Sequence, residues 1–69
     1  MYDLDVTARQ LLAASLNIRA TRADEAAEMY EEAATDVCRN ADQRALARER
    51  AVRARQKAAG LRARAESLA

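Results

Sequence analysis

Ile18-Arg19-Ala20-Thr21-Arg22-Ala23-Asp24 is the stretch that decides the fold. A chain that turns here has three helices, and one that runs straight through has two. Upstream, Leu4, Ala8, Leu11, Leu12, Ser15 and Ile18 share one helical face, Leu16 widens it, and the stripe stops at Ala20. Thr21 is followed three positions later by Asp24, the pattern of a capping box with Asp in the usual Glu place. This predicts a turn at Thr21. Asp3 or Asp5 caps the first helix, its carboxylate satisfying free N–H groups at the positive helix end. Neither Gly nor Pro marks the joint at Thr21, so a helix continuous through it is the alternative.

Downstream, a second helix is expected from Arg22 to Arg39. Ala26, Ala27, Tyr30, Ala33, Ala34 and Val37 form its buried face. Asp24, Glu25, Glu28, Glu31, Glu32 and Asp36 cover the opposite side. Asn40-Ala41-Asp42-Gln43 is a second capping box, with Asn as cap and Gln three positions on. A third helix then runs from Ala41 almost to the end, about 40 Å at 1.5 Å per residue. Its seam is Ala47, Ala51, Ala54, Ala58, Leu61, Ala65 and Leu68, alternating four and three as in a coiled coil. Arg44, Arg48, Arg55 and Arg62 line one edge of that seam, and Arg50, Arg53, Lys57 and Arg64 the other. Their stems can cover the seam while the charges stay in water.

These elements predict an all-α fold: one antiparallel three-helix bundle over residues 1–69, with helices at about 4–20, 22–39 and 41–68. Alanine supplies 19 of the residues, and there is no Trp, Phe or Pro and one Gly. Helix formers dominate, and few large side chains are left to build a core. So small a domain is marginal alone, and a bound helix or a second copy would stabilise it.

The net charge of +1 hides a division. Residues 1–38 hold three arginines against eight acids, a net of −5, and residues 39–69 hold nine basic residues against three acids, a net of +6. The two halves attract each other, within one molecule or between two. Cys38 stands alone, which forbids an internal disulfide and suits a reducing cytoplasm; it reads as a small buried hydrophobe. Met1-Tyr2-Asp3-Leu4-Asp5 lacks the pattern of a signal peptide, and no apolar run is long enough to span a membrane.

Asp24-Glu25-Ala26-Ala27-Glu28-Met29-Tyr30-Glu31-Glu32-Ala33 resembles the second helix of an MIT (microtubule interacting and transport) domain, where two acids open the helix and an apolar-Tyr pair precedes an alanine. Leu61-Arg62-Ala63-Arg64-Ala65-Glu66-Ser67-Leu68 resembles the third-helix signature of that family, Arg-Ala-Glu-x-Leu after an aromatic or aliphatic residue. The resemblance implies a three-helix bundle that takes short tail motifs of ESCRT filament proteins in grooves beside its third helix. It departs where the family places a leucine and an acid to receive the partner's leucines and arginine. Arg62 and Ala63 stand there instead, while Glu66 is kept. The second-helix stretch also resembles that of a single tetratricopeptide repeat, but one repeat cannot bury its own faces.

Chemistry is not indicated. The chain has no histidine, so the ordinary general base and commonest metal ligand are missing, and Cys38 has no histidine to activate it. Glu28, Glu31, Glu32 and Asp36 read as a solvated face and not as a metal site. No Gly-rich phosphate loop exists. No cofactor is therefore expected. The function that follows is a non-enzymatic protein–protein interaction module, binding a helical or tail segment of a partner or self-associating. The alternatives are a small nucleic-acid-binding regulator using the basic last helix, and a small inhibitor or antitoxin-type protein occluding a larger target. Against nucleic acid, the arginines flank an apolar seam and no aromatic sits among them. The expected partner surface is Met29, Val52, Arg55, Ala59, Arg62, Ala63 and Glu66. In it, Val52, Ala59 and Ala63 make a shallow apolar strip, Arg55, Arg62 and Glu66 orient the partner, and Met29 adapts to it. The altered Arg62 and Ala63 point to an acidic partner helix, with a homo-oligomer as the other possibility.

Overall fold

The computed structural model describes residues 4–68, Leu4 by its backbone alone. Two helices make up the fold: α1, Leu4–Thr35, and α2, Ala41–Leu68. They lie antiparallel as a helical hairpin. The all-α class holds, but the three-helix bundle expected from the sequence does not form. The resemblance to MIT domains implied three helices, and the described chain has two. The cap expected at Asp3 lies outside the described residues, and Asp5 lies within the first turn of α1, where its charge suits the positive helix end.

The correction rests on Thr21. Its hydroxyl donates to the Asn17 carbonyl oxygen at 3.1 Å, one turn back, so it does not serve as a cap. The Asp24 carboxylate is taken by Arg55 and Arg62 of α2. A seam of mostly small residues runs through the joint without interruption: Ala13, Leu16, Ala20, Ala23, Ala27, Tyr30 and Ala34, alternating three and four. Ala20 is fully buried and Ala23 nearly so, positions the sequence placed at a turn. The larger residues taken as the first helix's face lie on a different stripe of the same helix. Leu11, Leu12, Ser15 and Ile18 are exposed, and so is Val37.

On α2 the seam is where the sequence puts it. Ala47, Ala51, Ala58, Leu61 and Ala65 are buried, with Ala54 and Leu68 half-buried. Leu16, 2% exposed, and Leu61, 5% exposed, are the large side chains of a core otherwise built of alanine. Together with Ala20, Ala23, Ala58 and Ala65 they form its main cluster, with Ala13 and Leu68 packed against it. Each buried leucine contributes about 1.5–3 kcal/mol and each alanine methyl about 0.8 kcal/mol, so the seam holds mainly through close approach and length.

The turn is defined by hydrogen bonds. Asp36 accepts from the Cys38 N–H at 2.9 Å through its carboxylate and from the Arg39 N–H at 3.1 Å through its carbonyl. Cys38 is exposed there, contrary to the expectation that it would be buried. Asn40 then opens α2 as the sequence predicts. Its side-chain oxygen accepts from the Gln43 N–H at 2.8 Å, and Gln43 Oε1 accepts from the Asn40 N–H at 3.0 Å.

A hairpin of two long helices is elongated. The molecule measures 61 × 14 × 10 Å, with a radius of gyration of 16.5 Å against about 11 Å for a compact chain of this length. Its accessible surface is 5426 Å², where a compact protein of 7.6 kDa would expose about 4300 Å². Roughly half of the unfolded chain's surface is buried, less than the 60% of an ordinary small domain.

Candidate interaction surface

An antiparallel seam has two flanks, and here they differ in chemistry. One joins Asp24 and Glu31 of α1 to Arg55 and Arg62 of α2. Arg55 donates to Asp24 Oδ1 at 3.1 Å and to Glu31 Oε1 at 2.6 Å, and Arg62 pairs with the other oxygen of Asp24. The heptad phase explains the meeting: Asp24 and Glu31 are seven apart beside the α1 seam, and so are Arg55 and Arg62 beside the α2 seam. The hydrogen bond from Arg62, with help from Arg55, holds the Asp24 carboxyl below its usual range despite partial desolvation. Glu31, then Asp24, raises the Arg55 guanidinium further.

The opposite flank has no such ladder. Arg19 and Ala26 of α1 face it, with Ala33 seven further on, and Arg50 and Lys57 come from α2. Arg19, Arg22, Ala23, Ala26, Ala54 and Lys57 line a first hollow. Nearer the turn, Met29, Tyr30, Ala33, Leu46 and Arg50 line a second. Among the described residues no ion pair involves Arg19, Arg22, Arg50 or Lys57; the pairs off the first flank are Arg53 with Glu49 at 2.7 Å and Arg39 with Asp36 at 3.5 Å. This flank is basic, floored by small and apolar groups, and open.

Of the residues that the sequence grouped as a site, the six on α2 keep the spacing of helical neighbours, and Met29 lies apart from them on α1. Met29 is exposed and lines the second hollow. Arg55 and Arg62 are occupied on the opposite flank by acids of their own chain. Val52, Ala59, Ala63 and Glu66 are exposed, and their heptad phase sets them on the side of α2 turned away from α1. Sequence reasoning missed Arg19, Arg22, Arg50 and Lys57 as a group. Arg50 and Lys57 were visible as one edge of the α2 seam, but Arg19 and Arg22 were placed at a helix joint. The signal that could have found them was the alanine seam of α1, which puts Arg19 and Ala26 beside the same groove.

Apolar side chains also stand outside the seam on α1. Leu11, Leu12 and Ile18 are 68%, 50% and 56% exposed. Leu12, Arg19 and Ala26 are seven apart, so the leucine continues the open flank toward the start of α1. Among the described residues no group of three or more His, Cys, Asp or Glu could hold a metal, and no helix is long and apolar enough to cross a membrane. Comparison of the chain with protein-family models, with curated proteins and with solved structures finds no match.

Proposed function

We propose that this chain is a non-enzymatic interaction module, a helical hairpin that binds a helical segment of another protein or a copy of itself. The observation that carries the reading is the exposure of Leu11, Leu12 and Ile18 on a helix whose buried seam is mostly alanine. Side chains of that size are normally the core of a small helical protein. Here they are left in water while alanines fill the contact. A helix laid over them would bury the surface that a two-helix fold cannot, and its binding would stabilise the hairpin by mass action.

A photo-crosslinking residue at Ser15, between Leu11 and Ile18, tests this against the same residue at Ala63 on the outer side of α2. Capture of a defined helical peptide segment, or of a second copy, from Ser15 and not from Ala63 is the expected result. Loss of that capture in Leu11→Glu/Ile18→Glu, with helicity unchanged, supports the assignment. Equal capture from both positions would overturn it.

A further inference from the structure

We infer that the open flank is a cradle for an acidic amphipathic helix of a partner protein, which completes a three-helix bundle between two molecules. The inference rests on the interaction-module reading and names the partner's chemistry. Both edges of the α2 seam carry basic residues, so the sequence treats the flanks alike. The fold does not. One flank satisfies its arginines with Asp24 and Glu31, whereas Arg19, Arg22 and Lys57 surround the first hollow with no carboxylate among its lining residues. Three like charges around one hollow repel each other, and an approaching row of carboxylates relieves that repulsion. Arg50 extends the row at the second hollow.

The floor says what carries those carboxylates. Ala23, Ala26 and Ala54 in the first hollow, and Met29, Ala33 and Leu46 in the second, are small or apolar. A groove between two packed helices with such a floor accepts a third helix at the usual 8–10 Å axis separation. Cations beside the floor occupy the places that select a charged partner helix in coiled coils. A phosphate backbone would leave the apolar floor unused, and no aromatic lines the first hollow for base stacking. A second copy docked flank to flank would set Arg19, Arg22 and Lys57 against the same three residues.

The test uses the intact chain and a fluorescent peptide of three heptads with Leu and Ala in the seam places and Glu on both edges. A twin peptide with Lys for Glu and a short DNA duplex serve as comparisons. Anisotropy should report binding of the Glu peptide that weakens steeply between about 0.05 and 0.5 M salt, and no binding of the Lys twin. Arg50→Glu/Lys57→Glu should weaken it at least about tenfold, because both charges face the groove. Gln56→Asp, exposed on the outer side of α2, should leave it unchanged. Circular dichroism checks that each variant folds; if the reversal does not, Arg50→Gln/Lys57→Gln should still weaken binding several-fold. Equal affinity for the two peptides, or insensitivity to both double variants, overturns the inference. So does a duplex that binds more tightly and displaces the Glu peptide. Self-association that survives the Arg50 and Lys57 changes, without Glu-peptide binding, overturns the acidic-helix inference but leaves the module reading standing. A chain that binds neither peptide and sediments as a monomer sinks both.

Discussion

Arg22→Pro separates a continuous α1 from two capped helices. Were Thr21 a helix cap, position 22 would be the first helical residue, the one place where proline is favoured. In the hairpin, Arg22 lies mid-helix, between Ala20 and Ala23 of the buried seam. Proline there removes the hydrogen bond to the Ile18 carbonyl and drives its ring into that oxygen, costing about 3 kcal/mol or more. The resulting kink also pulls Ala23 away from the cluster it shares with Ala58 and Leu61. A chain of this length has roughly 3–10 kcal/mol of total stability, so the loss is a large part of it. At about 4–8 °C per kcal/mol, the melting temperature should fall by roughly 12–24 °C, or the transition should vanish. Arg22 is exposed and has no ion-pair partner among the described residues, so Arg22→Ala should shift stability by no more than about 0.5 kcal/mol and isolates the backbone effect. Thermal melts followed at 222 nm on the three proteins provide the measurement. An Arg22→Pro protein melting within about 2 °C of Arg22→Ala, less than a 1 kcal/mol change would produce, would refute the continuous helix.

Ala58→Leu should overpack the main cluster and lower stability by about 1–3 kcal/mol in urea titration, because Ala58 is fully buried among Leu16, Ala20 and Leu61. Gly60→Ala should do the reverse, raising stability by about 0.5–1 kcal/mol, since an added methyl meets nothing within 4 Å in an ordinary helical backbone. Acid should destabilise the hairpin through Asp24. Its pKa is lowered in the fold, so its contribution is present above its ordinary value of 3.8 and is lost as pH falls below it. Melts between about pH 6 and pH 2 should therefore converge for the parent and Asp24→Asn at the acid end; a constant gap would dissociate the ion pairs from stability. Asn40→Ala should cost about 1 kcal/mol by removing the cap on the Gln43 N–H, read from the same melts.

Much of the molecule was legible in local chemistry. Alanine and arginine content sets an all-helical chain, Asn40 and Gln43 satisfy each other across one helical turn, and the four-three spacing from Ala47 to Leu68 marks the buried face of α2. Each is settled within a turn or two of helix, and none waits on a distant residue. The joint at Thr21 was different. Its capping pattern was real as a pattern, but its two side chains had other partners, Asn17 one turn back and Arg55 with Arg62 on the other helix. The α1 seam was hidden for a similar reason. Hydrophobic size favoured the stripe of Leu11, Leu12 and Ile18, whereas the contact went to alanines, whose small side chains let two long helices approach along their whole shared length. The division between the two flanks lay further out of reach. Arginines line both edges of α2, and only when α1 pairs in one register do Asp24 and Glu31 fall on one flank and leave Arg19, Lys57 and Arg50 on the other. Charge type is written in each residue, but charge satisfaction depends on which residues the pairing of the helices brings within about 3 Å.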